Sequence, residues 1–499
     1  MKNRFEPKLF FYGHNCFLIE TSNNFLVIDP WLSDRGAFYG SWFQYPKNHH
    51  LQDRLVELSK NKQGFVYLTH EHQDHFDVDT ISKMSPATKF IIPNFQDKFL
   101  YNYLLNNKYD VSELDPDVPL EISNEITIKI LITDIGVDHD SAIFIETEKF
   151  RFLNQNDCRI FDRLHPEFSD LDYYSVQFSG ANHHPACYES YTPKLKAAIS
   201  HEKVISKLNT VAKAISTLKP KYYIPAAGPA IFPFLDEELT LSNDNIFIHQ
   251  DYLKDFLDSK NITNVIYPRP GEEIHEGSSR TPIGSPTKAE LLDYQSSVIN
   301  IWENLSVSFD KKKLENVIRA RLHEIKDINF KTEFVIQFVW GEASTDTLFI
   351  DLESSTISSS NKFKKNIYKI SAEKKYFALM HSSARWQDIS LTLRGKAWRK
   401  PDVFDNVINI FLFSEINNIK ESLLSSLSIP NERAIVNGVN SCRYEIDRFC
   451  PHQGADLKFG QITEDNEIVC PRHGWKFSLD KRGQSSNGKA SIRSIKIKD

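Results

Sequence analysis

Two short segments near the C-terminus constrain this chain more than any other feature: Cys450-Pro-His452-Gln-Gly and Cys470-Pro-Arg-His473-Gly-Trp, with seventeen residues separating His452 from Cys470. Two thiols and two imidazoles at such spacing are metal ligands, and they have two physical readings. They could hold tetrahedral zinc. Alternatively, each pair could sit on a loop at the tip of a small β domain and clamp a [2Fe–2S] cluster, with cysteines on one iron and histidines on the other. Pro451 and Pro471 tighten the turns, and Gly454 and Gly474 behind the ligands let backbone amides approach the cluster sulfurs.

The full strings, Cys-Pro-His-Gln-Gly-Ala-Asp-Leu and Cys-Pro-Arg-His-Gly-Trp-Lys-Phe, closely resemble the Rieske motif. That resemblance implies a [2Fe–2S] centre on Cys450, His452, Cys470 and His473. Neutral imidazole ligands raise such a cluster's potential above that of all-cysteine ferredoxins and let it pass single electrons to a partner. The remaining cysteines, Cys16, Cys158, Cys187 and Cys442, have no metal-type spacing and are too sparse for a disulfide framework. Cys442 reads as a small packed hydrophobe.

A chain of 499 residues exceeds one hydrophobic core, so several domains are expected. From Lys8 to about Pro270, short apolar runs alternate with turns: Phe25–Ile28, Phe65–Leu68, Lys89–Ile92, Ala142–Ile145 and Tyr222–Ile224, with a helical pattern from Lys194 to Leu218. This pattern predicts an α/β first domain, residues 1–275. The stretch Gly271–Lys288 is rich in Gly, Ser and Pro and reads as a connector. An α+β middle region, residues 289–425, follows. It has a charged helix over Lys311–Asp327, strand-like runs at Phe334–Trp340, Thr347–Ile350 and Ile389–Leu393, a Ser-rich surface loop at Ser354–Ser360 and an apolar helix near Val403–Phe413. Residues 429–499 form the small all-β domain around the cluster motif.

The formal net charge of -6 gives no polybasic footprint, which argues against nucleic acid or an anionic membrane as partner. No apolar run is long enough to span a bilayer, and the first residues lack the apolar core of a secretory signal. A cytoplasmic protein is the expectation.

A second ligand-rich segment lies in the first domain: Phe65-Val-Tyr-Leu-Thr-His70-Glu-His72-Gln-Asp74-His75. An apolar strand here delivers His-x-His-x-Asp-His to the edge of a sheet, where His70 and His72 can address one metal position and Asp74 and His75 another. A solvated turn with incidental histidines is the alternative.

This segment resembles the metallo-β-lactamase fold superfamily, an αββα architecture. Gly13-His14-Asn-Cys-Phe-Leu-Ile and Phe25-Leu-Val-Ile-Asp29-Pro-Trp31 are similar to its opening hairpin, most closely in the lactonase-type branch. The resemblance implies that Asp29 supports the metal loop without ligating, that His139 supplies a third histidine, and that Asp157 supplies a carboxylate able to bridge two metals. The family's last histidine should fall near Tyr222–Gly228, and none is there. Two histidines plus a carboxylate with open positions suit oxygen-activating Fe(II) better than a complete two-zinc hydrolase site. His183 and His184 are candidates for a substitute ligand, for substrate contact or for an ordinary surface loop.

Rieske and metallo-β-lactamase elements occur together in the CMP-N-acetylneuraminate hydroxylases, and the resemblance extends over Asp29-Pro-Trp-Leu, Tyr67-Leu-Thr-His-Glu-His-Gln-Asp-His, Leu153-Asn-Gln-Asn-Asp-Cys-Arg, Leu218-Lys-Pro-Lys-Tyr-Tyr-Ile-Pro-Ala-Ala-Gly and Tyr267-Pro-Arg-Pro-Gly. In those hydroxylases the Rieske domain comes first; here it comes last. The resemblance implies a Rieske-type non-haem iron monooxygenase, with His70, His72, Asp74 and Asp157 as catalytic residues and a metal site drawn from these plus His75 and His139. Its cofactors would be the [2Fe–2S] cluster and mononuclear Fe(II), with zinc or a dinuclear metal as the alternative. Its partners would be a small substrate, O2 and an external electron donor such as a reductase, ferredoxin or cytochrome b5-like protein, and an oligomer is compatible. The competing function is a metallo-β-lactamase-type hydrolase or lactonase with a redox-sensing Rieske domain.

Overall fold

The computed structural model describes residues 6–497 apart from 136, 165–167, 169, 229, 344, 383–384, 473 and 486–489. His473 therefore lies outside the described residues.

Period-two burial builds the first domain. In strands Lys8–Gly13, Cys16–Glu20, Asn24–Ile28 and Gln63–Tyr67, one set of alternating side chains (Leu9, Phe11, Phe17, Ile19, Leu26, Ile28, Phe65, Tyr67) faces a second sheet. The other set (Phe10, Tyr12, Leu18, Phe25, Val27, Val66) faces helices Gln52–Asn61 and Phe99–Asn106. Strands apolar on both faces must be covered on both. The first sheet has seven strands and the second six. The outer face of the second sheet, including Leu153, Tyr174, Val176 and Tyr223, packs against Leu208, Val211 and Ile215 of the long helix Pro193–Leu218. The result is helix, sheet, sheet, helix: the αββα metallo-β-lactamase fold.

Strand ends carry the chemistry. The parallel neighbours Asn24–Ile28 and Gln63–Tyr67 run out side by side, so Asp29 and the segment from Thr69 to His75 emerge at the same sheet edge.

The middle region is a five-stranded sheet over Phe334–Lys400 with a helical layer that includes Lys311–Ile325 and Asn406–Phe413. Three readings from the sequence need correction. Ile389–Leu393 is not a strand: Trp386–Leu391 is a helix, with Trp386 and Ile389 buried one turn apart. A short apolar run fits either period, and tertiary packing decided this one. Within the Ser-rich loop, Thr356–Ser358 is an edge strand. Within the connector, Glu272–Glu273 pairs with the first strand and closes that sheet's edge.

The C-terminal domain combines a three-stranded and a four-stranded antiparallel sheet around Tyr444, Ile446, Leu457, Ile468 and Phe477. No helix among the described residues is long and apolar enough to cross a membrane.

The middle region holds the first domain's ligand-rich loop through a buried cation. The Arg385 side chain, only 5% exposed, donates to the Glu71 carboxylate at 2.5 Å and to Glu415 at 2.8 Å, with Asp388 at 3.7 Å. Gln73 donates to Asp388 and accepts from the Phe38 backbone. Arg385→Ala would leave Glu71 and Asp388 buried without their cation, so unfolding in urea should show a loss of about 3–5 kcal/mol. A loss below about 1 kcal/mol would mean that the loop is held by other contacts.

Candidate metal centres

The two cluster-binding loops have one hydrogen-bond pattern used twice. In the first, the Cys450 N–H donates to Ala455 O and the Gly454 N–H to Cys450 O. In the second, the Cys470 N–H donates to Trp475 O and the Gly474 N–H to Cys470 O. Gly454 and Gly474 take matching left-handed φ values of 65° and 68°, a conformation that costs glycine little. Both cysteines are buried, and His452 is nearly so, stacked on Trp475 at 4.5 Å and met edge-on by Phe404 of the middle region at 4.8 Å. Burial and the neighbouring Cys470 push the Cys450 thiol far above its ordinary range. A buried thiol pair facing one another is suited to binding a cationic cluster as thiolates. The donor set fits a [2Fe–2S] group.

The N-terminal constellation starts from Asp29, which is buried and held at φ 42°. Its carboxylate accepts from Asn15 Nδ2 at 2.7 Å, Thr69 N at 2.8 Å, Thr69 Oγ1 at 2.7 Å and His75 Nδ1 at 2.7 Å. Asp29 thereby fixes the His75 ring and turns Nε2 inward. That Nε2, His72 Nε2 and Asp157 Oδ1 are buried without a hydrogen-bond partner. His70 Nε2 and His72 Nδ1 converge to 2.7 Å, close to the ~3 Å edge expected for two nitrogens on one ion with bonds of about 2.1 Å. Orphaned polar atoms and converging imidazoles fit a metal ion.

Two ligand groups emerge, His14–Asp74–His75 and His70–His75–Asp157, and they share His75. The sequence reading pairs Asp74 with His75 but lacks His14. His14 Nε2 stands 3.3 Å from Asp74 Oδ2, and the His14 carbonyl accepts from Ala227 N. Ala227 lies in the segment where the family's late histidine is missing. The signal that could have revealed it is its place just after the first strand, inside the Gly13-His14-Asn-Cys motif of the opening hairpin. Asp140 was also missed: its Oδ1 lies 3.4 Å from His70 Nδ1 and accepts from Asn156 Nδ2. His72 meets His70 but is in neither group, and His139 is likewise brought into neither among the described residues. Its Nδ1 bonds Asp134 at 2.5 Å. His183 and His184 sit at the junction with the middle region, His183 stacked against Tyr188 and near Phe413, His184 beside Tyr191. Burial lowers the His183 pKa to about 4.

Charge in the site is tightly balanced. Burial favours neutral His75, but Asp74, Asp29 and Asp157 outweigh it and raise its pKa to about 10. Burial likewise opposes the charge on Asp74, yet His75 and His14 hold that carboxyl well below its usual range. Burial, then the charge of Asp157, pushes the Asp140 carboxyl well up. His70 is held neutral by burial and by its cationic neighbour His75.

Comparisons with known proteins match a domain at each end of the chain. Residues 418–496 match the model of the Rieske [2Fe-2S] domain, and residues 8–151 that of a β-lactamase superfamily domain. Over 94% of this chain and 96% of the relative, it is 23% identical to a protein of Mycolicibacterium smegmatis named as a Rieske 2Fe-2S iron–sulfur protein. It is 25% identical to the cytidine monophosphate-N-acetylneuraminic acid hydroxylase of Danio rerio over 45% of this chain and 38% of that one. Among solved structures, it is similar to CmlA, a diiron β-hydroxylase from Streptomyces venezuelae (TM-score 0.36, 13% identity, 55% of each chain). It is likewise similar to Igni18, a metallo hydrolase from Ignicoccus hospitalis (TM-score 0.34, 15% identity, 54% of this chain and 97% of that one). The chain joins a Rieske [2Fe–2S] domain to a metallo-β-lactamase-fold domain and is an oxidoreductase.

Because His75 carries a proton at neutral pH in the metal-free chain, an ion that takes Nε2 must displace it. The raised pKa also stabilises the metal-free fold fully below the ordinary 6.5, and that contribution disappears as pH rises through about 10. Calorimetric titration with Fe(II) or Zn(II) at pH 7.5, in buffers of different ionisation enthalpy, should show about one proton released per ion bound. Proton-neutral binding would remove His75 from the ligand set.

Proposed function

We propose that the chain is a Rieske-type non-haem iron monooxygenase that uses O2 to oxidise a C–H or N–H bond of a small substrate. A nucleotide-activated N-acyl sugar such as CMP-N-acetylneuraminate is the substrate class favoured by the likeness to the hydroxylases. An external reductase or small electron carrier supplies electrons to the cluster. The observation that carries this reading is the segment after strand Arg151–Asn156: Asp157 belongs to the metal group, and Asp162 of the same segment bonds the Rieske domain.

His70, His72, His75 and Asp157, with Asp74 and His14 beside them, would hold the iron. When bound, it supplies a redox-active centre at which dioxygen can be reduced next to the substrate. The protein's own groups prepare that centre. Asp29 orients His75 through Nδ1, leaving Nε2 for the ion. Thr69 Oγ1 donates to Asp29, so in its bond with His70 Nδ1 it is the acceptor, and the proton sits on Nδ1. That leaves His70 Nε2 free to ligate. Asp140 Oδ1 accepts from the Ser141 and Asn156 N–H groups, which fixes that carboxyl beside His70. Trp31, stacked edge-on to His14, and Phe38 near His72 keep water from the rings.

A dinuclear centre is the second reading, favoured by the two ligand groups that meet at His75. Anaerobically purified protein should contain about three irons per chain for a mononuclear site, or about four for a dinuclear one. It should couple O2 uptake to product formation with a panel of nucleotide sugars read by mass spectrometry. His72→Ala should keep the Rieske EPR signal while O2-coupled turnover falls by about 100-fold. Two zinc ions per chain with oxygen-independent hydrolysis would overturn the oxygenase reading.

A further inference from the structure

A Rieske domain at the C-terminal end of the chain must still reach the metal site at the N-terminal end. The contact that achieves this is concentrated on one carboxylate. Asp162 Oδ2 accepts from the Arg472 guanidinium at 2.9 Å and from the Asp456 backbone N–H at 3.2 Å, and Asp162 Oδ1 accepts from Arg472 Nε at 3.2 Å. Arg472 lies between Cys470 and His473 on one cluster loop; Asp456 follows the other. A single side chain therefore holds both cluster loops. The pair is secluded, with side chains 4% and 7% exposed, so solvent screens it little.

Asp162 stands on a rigid strut. Between it and Asp157, Cys158 and Ile160 are fully buried in the core beneath the long helix. The Cys158 thiol also points toward the Asp140 carbonyl at 3.5 Å. That helix forms a rail beside the contact. Lys213 donates to Phe459 O at 2.6 Å, Glu202 pairs with Lys476 at 2.9 Å, and Ser206 lies so near Gly474 that a Cβ there would approach its Oγ to 2.5 Å. The rail contacts are polar and lie nearer the surface than the buried Asp162–Arg472 pair.

We propose that Asp162 is the positioning residue that locks both cluster-binding loops onto the strut carrying Asp157, so that electrons pass from cluster to metal site within a single chain. The proposal rests on the oxygenase reading for what the electrons do. In each transfer the reduced cluster loses one electron and the metal site gains it. The cluster is refilled by the external reductant, and dioxygen is the final oxidant.

The test uses the full-length, cluster-loaded protein. Asp162→Ala should accelerate hydrogen exchange at the Asp456 amide and across 470–476 by about ten- to a hundredfold, as expected when a hydrogen bond to a charged group is lost. The Rieske EPR signal and midpoint potential should stay unchanged, which establishes an intact domain. Asp162→Asn should slow reoxidation of the dithionite-reduced cluster by O2 in the presence of substrate about tenfold or more, with Asp162→Glu restoring part of the rate. Mixing a Cys450→Ser chain with a His72→Ala chain should recover no turnover. Unchanged exchange in Asp162→Ala, or full recovery in the mixture, overturns the proposal. If the wild-type cluster shows no O2-dependent reoxidation, the oxygenase reading fails, while the exchange experiment still decides the role of Asp162.

Discussion

The Asp29 carboxylate gathers four hydrogen bonds where water has no access, and the ligand-rich loop takes its shape from that anion. A carboxylate buried there without its donors would be strongly disfavoured, so the strand end, Asn15, Thr69 and His75 must arrive together or not at all. Thr69 extends the constraint, since its hydroxyl also meets His70 Nδ1 and Asn156 Nδ2. Three strand ends are thereby locked to one another before any metal binds. A preorganised ligand set spends little of the metal's binding free energy on ordering the loop.

The same loop is gripped from the far side by Arg385. A buried ion pair is a poor source of net stability, because desolvation offsets most of the Coulomb attraction, but it is unforgiving of misplaced partners. Glu71 sits between the two histidines it separates in sequence, and its pairing with Arg385 fixes the backbone from which His70 and His72 project. Burial opposes the Glu71 charge, and the guanidinium overcomes it. The middle region thus acts on the metal site by supplying the counter-charge that the metal loop requires.

Much of this was legible in the sequence because its signals are local. The cluster loops announce themselves by spacing, and the strand before His70 announces the metal loop by its apolar run. Layered strands and helices follow from the apolar runs, and the αββα order from the resemblance to the metallo-β-lactamase fold. What was not legible depends on contacts between distant segments. His14 and Asp140 enter the site because separate strand ends converge there; His14 has no ligand-type neighbour in sequence, and Asp140 stands directly beside His139, the residue that the family resemblance favours. His139 sits five residues from Asp134, and that bond takes it away from the cluster of ligands. The helix Trp386–Leu391 fits a strand pattern equally well until Arg385 and Trp386 are seen anchored, one to Glu71, the other packed beneath Arg321.

The Rieske domain, last in the chain, docks against the first domain. Its loops are recognised by a segment that belongs to the metal site, and the recognition relies on Arg472, a residue inside the cluster motif itself. Phe404 closes the other side, lying edge-on to His452 and near Trp475. A domain held through its own ligand loops cannot rotate freely about its linker, because any rotation would expose the Asp162–Arg472 pair to water on one side and strand it in a low-dielectric cleft on the other. Through these contacts a C-terminal Rieske domain docks against a segment from the first third of the chain.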